Sequence, residues 1–317
     1  MEEVSFRQVV SRGCGIDVHQ KVVVATIGGE ALRTQTREFG TMTSSLTELK
    51  EWLLGNGITH VAMESTGVYW KPVYNILEPS GITVWIVNAR HIKYVPGHKT
   101  DKKDSAWICK LLLAGLLKPS FIPPKAQREL RDLTRYRKKL IQNIASEKNR
   151  IIRILEDCNI KLSSVMSSTS GVTATKLIDK LCDGKIVTKE DIEEVYHGKI
   201  QCGKDDLYEA CQGFITDHHI FLLHTIKQDI ESTESLITDL NLRIEESLSE
   251  YESATEALRG IPGLSTKTVE DLIAEIGLNM TVFPTEKHLA SWAGMCPGNN
   301  ESAGKKKVEE LPTGTNK

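Results

Sequence analysis

The chain has 317 residues, of which 40% are apolar and 26% charged, with a formal net charge of −2; this is ample for more than one buried core and gives no global sign of a polyanionic partner. No run approaches the roughly 18 apolar residues of a membrane span, and the N-terminus, MEEVSFRQVVSRG, lacks the apolar core of a secretory signal. The seven cysteines (Cys14, Cys109, Cys158, Cys182, Cys202, Cys211, Cys296) are scattered, odd in number and without a CxxC pair, which argues against a disulfide framework or zinc site and for reduced thiols in a cytoplasmic protein.

Gly13 to Ile27, GCGIDVHQKVVVATI, reads as a β-branched strand pair with one acid, Asp17, at a position that a sheet would fill with a hydrophobe or turn to solvent. Taken alone, Asp17 is equally an outward-facing residue near a turn. Residues 34–39, TQTREF, give a third strand. Leu46, Leu49, Trp52 and Leu53 then follow helical spacing up to Gly55-Asn56-Gly57. Residues 58–64, ITHVAME, form another strand ending on Glu64, followed by a small-residue turn and a helix from Tyr69 to Leu77. A carboxylate at a strand's C-terminal end is a common catalytic location in an α/β sheet, although such a residue also caps helices. Residues 82–87, ITVWIV, give a further strand. His98 to Trp107, HKTDKKDSAW, follows as a helix whose acids Asp101 and Asp104 share a face amid lysines. This order predicts a mixed α/β sheet.

Asp17, Glu64, Asp101 and Asp104 together make two acids on strands and two on a later helix. Clustered carboxylates repel one another unless a cation neutralises them, and oxygen-only ligands suit Mg²⁺ or Mn²⁺. Two such ions about 3.5–4 Å apart serve phosphodiester chemistry. The basic neighbours His98, Lys99, Lys102 and Lys103 would then face phosphates.

The segments GIDVHQ, AMESTGVYW and GHKTDKKDSAW resemble the motifs of the DEDD-type insertion-sequence transposases. The resemblance implies a RuvC-like, RNase H-type domain that works with a structured guide RNA to recombine DNA, with Asp17, Glu64, Asp101 and Asp104 as its metal-binding tetrad. It also implies DNA element ends and target as partners.

From Arg90 to Arg153 the chain carries 17 lysines and arginines against five acids. After Pro119, Pro123 and Pro124 a new element is expected near Lys125, with Leu130, Leu133, Leu140, Ile144, Ile151 and Ile154 at heptad-like spacing. A basic helix face is often only solvated. Next to a nuclease-like site, Arg131, Arg135, Lys138 and Lys139 become candidates for nucleic-acid contact. Residues 159–216 carry little signal. Asp217 to Glu256 returns to helical periodicity, with Leu223, Ile230, Ile237, Ile244 and Tyr251 every seven residues and a mainly acidic surface. An antiparallel pairing with the basic helix, or a homodimer or tetramer built from coiled coils, is expected, the opposite charges favouring the match. The plainer reading is a structural coiled coil.

Leu258 to Gly277, LRGIPGLSTKTVEDLIAEIG, resembles a helix-hairpin-helix, with Ser265 capping its second helix and amides there available to a phosphate. In the last segment, HLASWAGMCPGNNESAGKKK, Ser302 reads on chemistry alone as a loop serine, with no neighbouring histidine to act as base. The family's C-terminal transposase domain carries its nucleophilic serine in a motif similar to this one. The resemblance therefore implies that Ser302 attacks a phosphodiester, with Lys305, Lys306 and Lys307 offsetting phosphate charge.

The expected architecture is α/β plus α. Residues 1–124 form the RuvC-like mixed-sheet domain, 125–256 the long coiled-coil helices, and 257–317 a C-terminal transposase domain. That last domain is expected to be incomplete, since the chain stops at TGTNK where family members continue. Two other readings stay open: a RuvC-like nuclease using water, and an inactive remnant that only binds nucleic acid.

Overall fold

The computed structural model describes residues 8–65, 67–88, 101–167, 169, 171–197, 200, 202–295, 300–302 and 305–307, with the side chains of 101–103, 300–302 and 305–307 outside that description. The chain divides into two compact units, Met1–Ile122 and Pro123–Lys317.

In the first unit the β-branched runs form the sheet. Strands β1 (Arg12–Val18), β2 (Val22–Gly29) and β3 (Leu32–Gly40) make an antiparallel meander, and β4 (His60–Glu64) and β5 (Thr83–Val87) add parallel on the far side of β1. The order is β3-β2-β1-β4-β5, the mixed sheet that the sequence predicts. Side chains alternate across a strand, so each strand sorts its residues between two helical layers. Cys14, Ile16, Val23, Ala25, Ile27, Val61, Met63 and Ile86 pack with Leu46, Leu49 and Leu53 of α1 (Thr43–Gly55) and with Val73 and Leu77 of α2 (Trp70–Leu77). Ala62 and Val87 point the other way, onto Ile108, Leu111 and Leu112 of α3 (Asp101–Leu113).

In the second unit the break at Pro123-Pro124 releases α4 (Lys125–Asp157), which begins where the prolines predict. Residues 158–216, where periodicity is silent, fold into four short helices: α5 (Leu162–Val165), α6 (Val172–Cys182), α7 (Lys189–Val195) and α8 (Lys204–Ala210). Next, α9 (Asp217–Leu248) returns antiparallel along α4. Asp157 at the end of α4 accepts a hydrogen bond from His219 Nε2 (3.2 Å), Arg137 donates to Asn241 Oδ1 (3.1 Å), and Leu130 packs with Ile244 and Leu248. The predicted opposite-charge match is a minor part of this seam. Ile151, Leu155, Leu223, Ile226 and Ile230 fill it.

The helix expected to run from Asp217 to Glu256 instead breaks at Leu248, passes through a 3-10 turn (Ser249–Tyr251) and restarts as α10 (Glu252–Arg259). Ser247 and Ser249 donate to the carbonyls of Arg243 (2.8 Å) and Glu246 (2.7 Å), and such side-chain bonds bend the final turn of a helix. The seven-residue period survives the bend because Tyr251 still packs beside Ile244. After the Gly260–Leu264 turn, Ser265 caps α11 (Thr266–Ile276) by accepting from the Thr268 amide at 3.2 Å. Beyond α12 (Glu286–Trp292), strands β6 (Asn300–Ser302) and β7 (Lys305–Lys307) pair antiparallel.

Burial pushes the Cys109 and Cys182 thiols up to about 11 and Cys211 to about 12, so these sulfurs stay protonated and inert at neutral pH. Among the described residues the cysteines are free and no helix is long and apolar enough to cross a membrane.

Candidate active site

β1 and β4 lie side by side in parallel, with Ile16 opposite Met63 as their last paired residues. Asp17 and Glu64 each stand one position further on. The backbones of these two acids therefore stand side by side at the ends of adjacent strands, which are spaced about 4.8 Å apart. By alternation both belong to the face covered by α3, as Gly13, Gly15 and Ala62 do.

The helix crosses that face in a definite register. Leu112 lies over Gly13, and the backbone of Ser105 and Cys109 lies over Gly15, so the next position, Asp17, falls toward the start of the helix. That start carries Asp101 and Asp104. The approach at Gly15 is so close that a Cβ there would stand 2.2 Å from both the Ser105 carbonyl oxygen and the Cys109 amide nitrogen. Beside it, Ser105 is fully buried and its Oγ shares a hydrogen bond of 2.8 Å with Thr26 Oγ1 of β2, which in turn bonds Thr36 Oγ1 of β3 at 2.9 Å. A buried polar contact in an otherwise apolar interface is satisfied in only one register. It therefore fixes where Asp104, one residue earlier, must lie. Ser105→Ala should lower stability by only about 1 kcal/mol in urea unfolding, because Thr26 keeps Thr36 as a partner. Thr26→Val together with Ser105→Ala should recover part of that loss.

Asp17, Glu64 and Asp104 are half-buried. Asp17 Oδ2 accepts a hydrogen bond from His19 Nε2 at 3.0 Å. Glu64 is anchored through its neighbour, since the Ser65 amide donates to the Val87 carbonyl at 3.0 Å and carries the β4–β5 pairing past the acid. Asp101 is the first residue of α3 and its side chain lies outside the described residues, as does all of Lys99; Lys102 and Lys103 follow on the first turn, described as backbone only. Among the described residues no group of three or more His, Cys, Asp or Glu side chains is arranged to hold a metal ion. The donor type is nonetheless the one a hard divalent cation takes: carboxylate oxygens at two strand ends and on the facing helix.

The predicted basic contacts separate into two groups. Lys138 and Lys139 are exposed on α4. Arg131 and Arg135 are instead turned onto the C-terminal end of α11. Arg131 donates to the carbonyls of Ala274 (3.2 Å) and Glu275 (2.8 Å), and Arg135 grips the Glu275 carboxylate in a bidentate pair (2.6 and 2.9 Å). Cations at a helix C-terminus satisfy its unpaired carbonyls and its dipole. Ser302 is the last residue of β6 and pairs with Lys305, the first of β7, with Glu301 opposite Lys306, so the serine and the lysines share one short antiparallel ladder.

Sequence reading passed over Gly15, Thr26, Ser105 and the contact made by His19. The one signal for Gly15 was a glycine two residues before an acid within a buried strand, a mark of close backbone approach.

The fold and its carboxylates define a mixed-sheet domain that places acids at neighbouring strand ends and on a facing helix. Residues 14–160 match a family model described as a transposase, of the DEDD type found in IS110 elements. Residues 255–316 match the model of the transposase IS116/IS110/IS902 family. The two matches, one at each end, support an IS110-family transposase. No curated protein matches the chain. Among solved structures, it is similar to Thermus thermophilus RuvC in complex with a Holliday junction substrate (12% identity, 35% of this chain, 99% of that chain, TM-score 0.27). It is also similar to a second Thermus thermophilus RuvC structure (13% identity, 34% and 99%, TM-score 0.27).

Proposed function

We propose that this chain is a DNA transposase that cuts and rejoins the ends of its element through Ser302, with Asp17, Glu64, Asp101 and Asp104 holding Mg²⁺ or Mn²⁺ and a structured RNA guiding the choice of DNA. The observation that carries the reading is the placement of Asp17 and Glu64 at the ends of adjacent parallel strands under a helix beginning with Asp101 and Asp104, in a chain whose C-terminal segment matches a transposase family.

A bound divalent cation would offset the charge of the scissile phosphate's non-bridging oxygens. The tetrad's part is then to fix that phosphate in place. Ser302 Oγ attacks phosphorus, its proton passes to a base in the assembled site, and the bond from phosphorus to the DNA 3′-oxygen breaks. A 3′-hydroxyl leaves and a 5′-phosphoserine link remains. Attack by a new 3′-hydroxyl reverses the step and frees the serine, so the phosphoester bonds are conserved. Lys305 and Lys306 neutralise phosphate charge, while exposed Lys138 and Lys139 track a nucleic-acid backbone. A chain that must hold two DNA ends works as a homo-oligomer.

The test is a denaturing gel with 5′-labelled and 3′-labelled element-end DNA, Mg²⁺ and the RNA that copurifies from the native host. The wild-type chain is expected to give a protease-sensitive adduct with the 3′-labelled fragment, joined through its 5′-phosphate, and a free 3′-hydroxyl on the 5′-labelled fragment. Ser302→Ala is expected to lose it completely while keeping RNA binding. Free 5′-phosphate ends from both proteins would instead establish water attack and a nuclease. Salt-sensitive binding with no cleavage in either would leave a nucleic-acid-binding remnant.

A further inference from the structure

His19 touches the carboxylate of Asp17, and its place is set by backbone. His19 directly follows β1, whose last two residues are Asp17 and Val18. The His19 amide donates to the Val22 carbonyl at 2.9 Å, closing the β1–β2 turn, and Thr41 Oγ1 ties the same turn at Gln20 by a 3.2 Å bond to its carbonyl. The ring is thus held on the solvent side of Asp17: its side chain is 45% exposed, against 15% for the acid, and Nε2 lies 3.0 Å from Oδ2. A pair exposed to this degree contributes little to stability, so folding gives no reason to build it.

We infer that His19 is a positioning residue for Asp17: by donating to Oδ2 it fixes the rotation of the carboxylate and presents the other oxygen to a divalent cation. The inference rests on the reading of Asp17 as a metal ligand. Ligating carboxylates are commonly held by such a second hydrogen bond, and removing it costs 10–100-fold in metal affinity. A neutral donor suffices, since only a hydrogen bond is required. Glutamine, whose amide nitrogen reaches about as far from the backbone as Nε2, therefore substitutes for histidine, whereas alanine does not.

The measurement is Mn²⁺ binding to the full chain without nucleic acid. Free Mn²⁺ is followed by its paramagnetic resonance signal, and melting is recorded with and without the ion. His19→Ala should weaken Mn²⁺ binding roughly 10–100-fold, His19→Gln should bind close to the wild type, and all three proteins should melt alike without metal. Unchanged binding in His19→Ala, equal loss in both variants, or a lower metal-free melting temperature would overturn the inference. So would a loss confined to Zn²⁺ with Mn²⁺ unaffected, which would make His19 a direct ligand for softer ions. Asp17→Asn separates the two levels of the argument. If that variant binds Mn²⁺ as the wild type does, the metal site itself is wrongly placed and the role of His19 falls with it. If Asp17→Asn loses binding and His19→Ala does not, only the role of His19 falls.

Discussion

Gly15→Ala is expected to cost about 3 kcal/mol or more and to abolish DNA cleavage. Adding atoms to a packed interface typically costs 1–3 kcal/mol when side chains can move aside. Here the new methyl would stand 2.2 Å from two backbone atoms of α3, the Ser105 oxygen and the Cys109 nitrogen. Neither is a flexible tip, so the helix itself must lift from β1. Lifting it strains the buried Ser105–Thr26 hydrogen bond and carries Asp104 away from Asp17 and Glu64, so activity falls even where folding survives. Urea unfolding followed by tryptophan fluorescence reports the loss directly, because Trp52, Trp70, Trp85 and Trp107, four of the five tryptophans, lie before Ile122. Gly55→Ala is the control. It has open space around the new methyl and an ordinary helical backbone, and it should be neutral or stabilising. A Gly15→Ala protein with wild-type stability and cleavage would show that α3 does not rest on β1 as described.

Arg137→Ala is expected to cost about 3–5 kcal/mol in the second unit, the usual consequence of leaving one partner of a buried ion pair alone. Arg137 is 2% exposed and binds Glu270, itself 8% exposed, together with Asp271 Oδ1 and Asn241 Oδ1 at 3.1 Å each. It joins α4, α9 and α11 through one guanidinium. Removing it leaves the largely buried Glu270 carboxylate without that donor. Replacing both partners, as in Arg137→Met with Glu270→Leu, should restore most of the stability, since a well-packed apolar pair often equals a buried ionic one. Urea unfolding followed by circular dichroism at 222 nm measures both. Equal losses in the single and double variants would mean that packing volume, and not the stranded charge, sets the cost.

The sheet was legible from sequence because β-branched runs and turn residues mark each strand, and the candidate acids stood out as charges where strands bury hydrophobes. What escaped was the means of holding them. The contacts of Ser105 with Gly15 and Thr26 join residues 90 and 79 positions apart, and no local pattern encodes such a contact. The protein contacts of Arg131 and Arg135 were hidden for a related reason. A row of bases on a helix has the same spacing whether it faces phosphates or the carbonyl end of another helix, and the deciding partners, Ala274 and Glu275, lie about 140 residues downstream. The break at Leu248 was hidden because the apolar period continues through it.

The antiparallel run of α4 and α9 has an architectural consequence of its own. At 33 residues, α4 spans about 50 Å, and His219 meets Asp157 at the far end, where residues 158–216 are inserted. Entry to and exit from the insertion are therefore adjacent, and the four short helices pack Leu177, Leu181, Ile192 and Leu207 into one core with Ile151 and Leu155 of α4 and Leu223, Ile226 and Ile230 of α9. The insertion is thus a head seated on its stem and folded together with it. Loss of packing on either side of that core is then felt by both, while the Arg137 junction clamps α4 and α9 to α11 further along the stem.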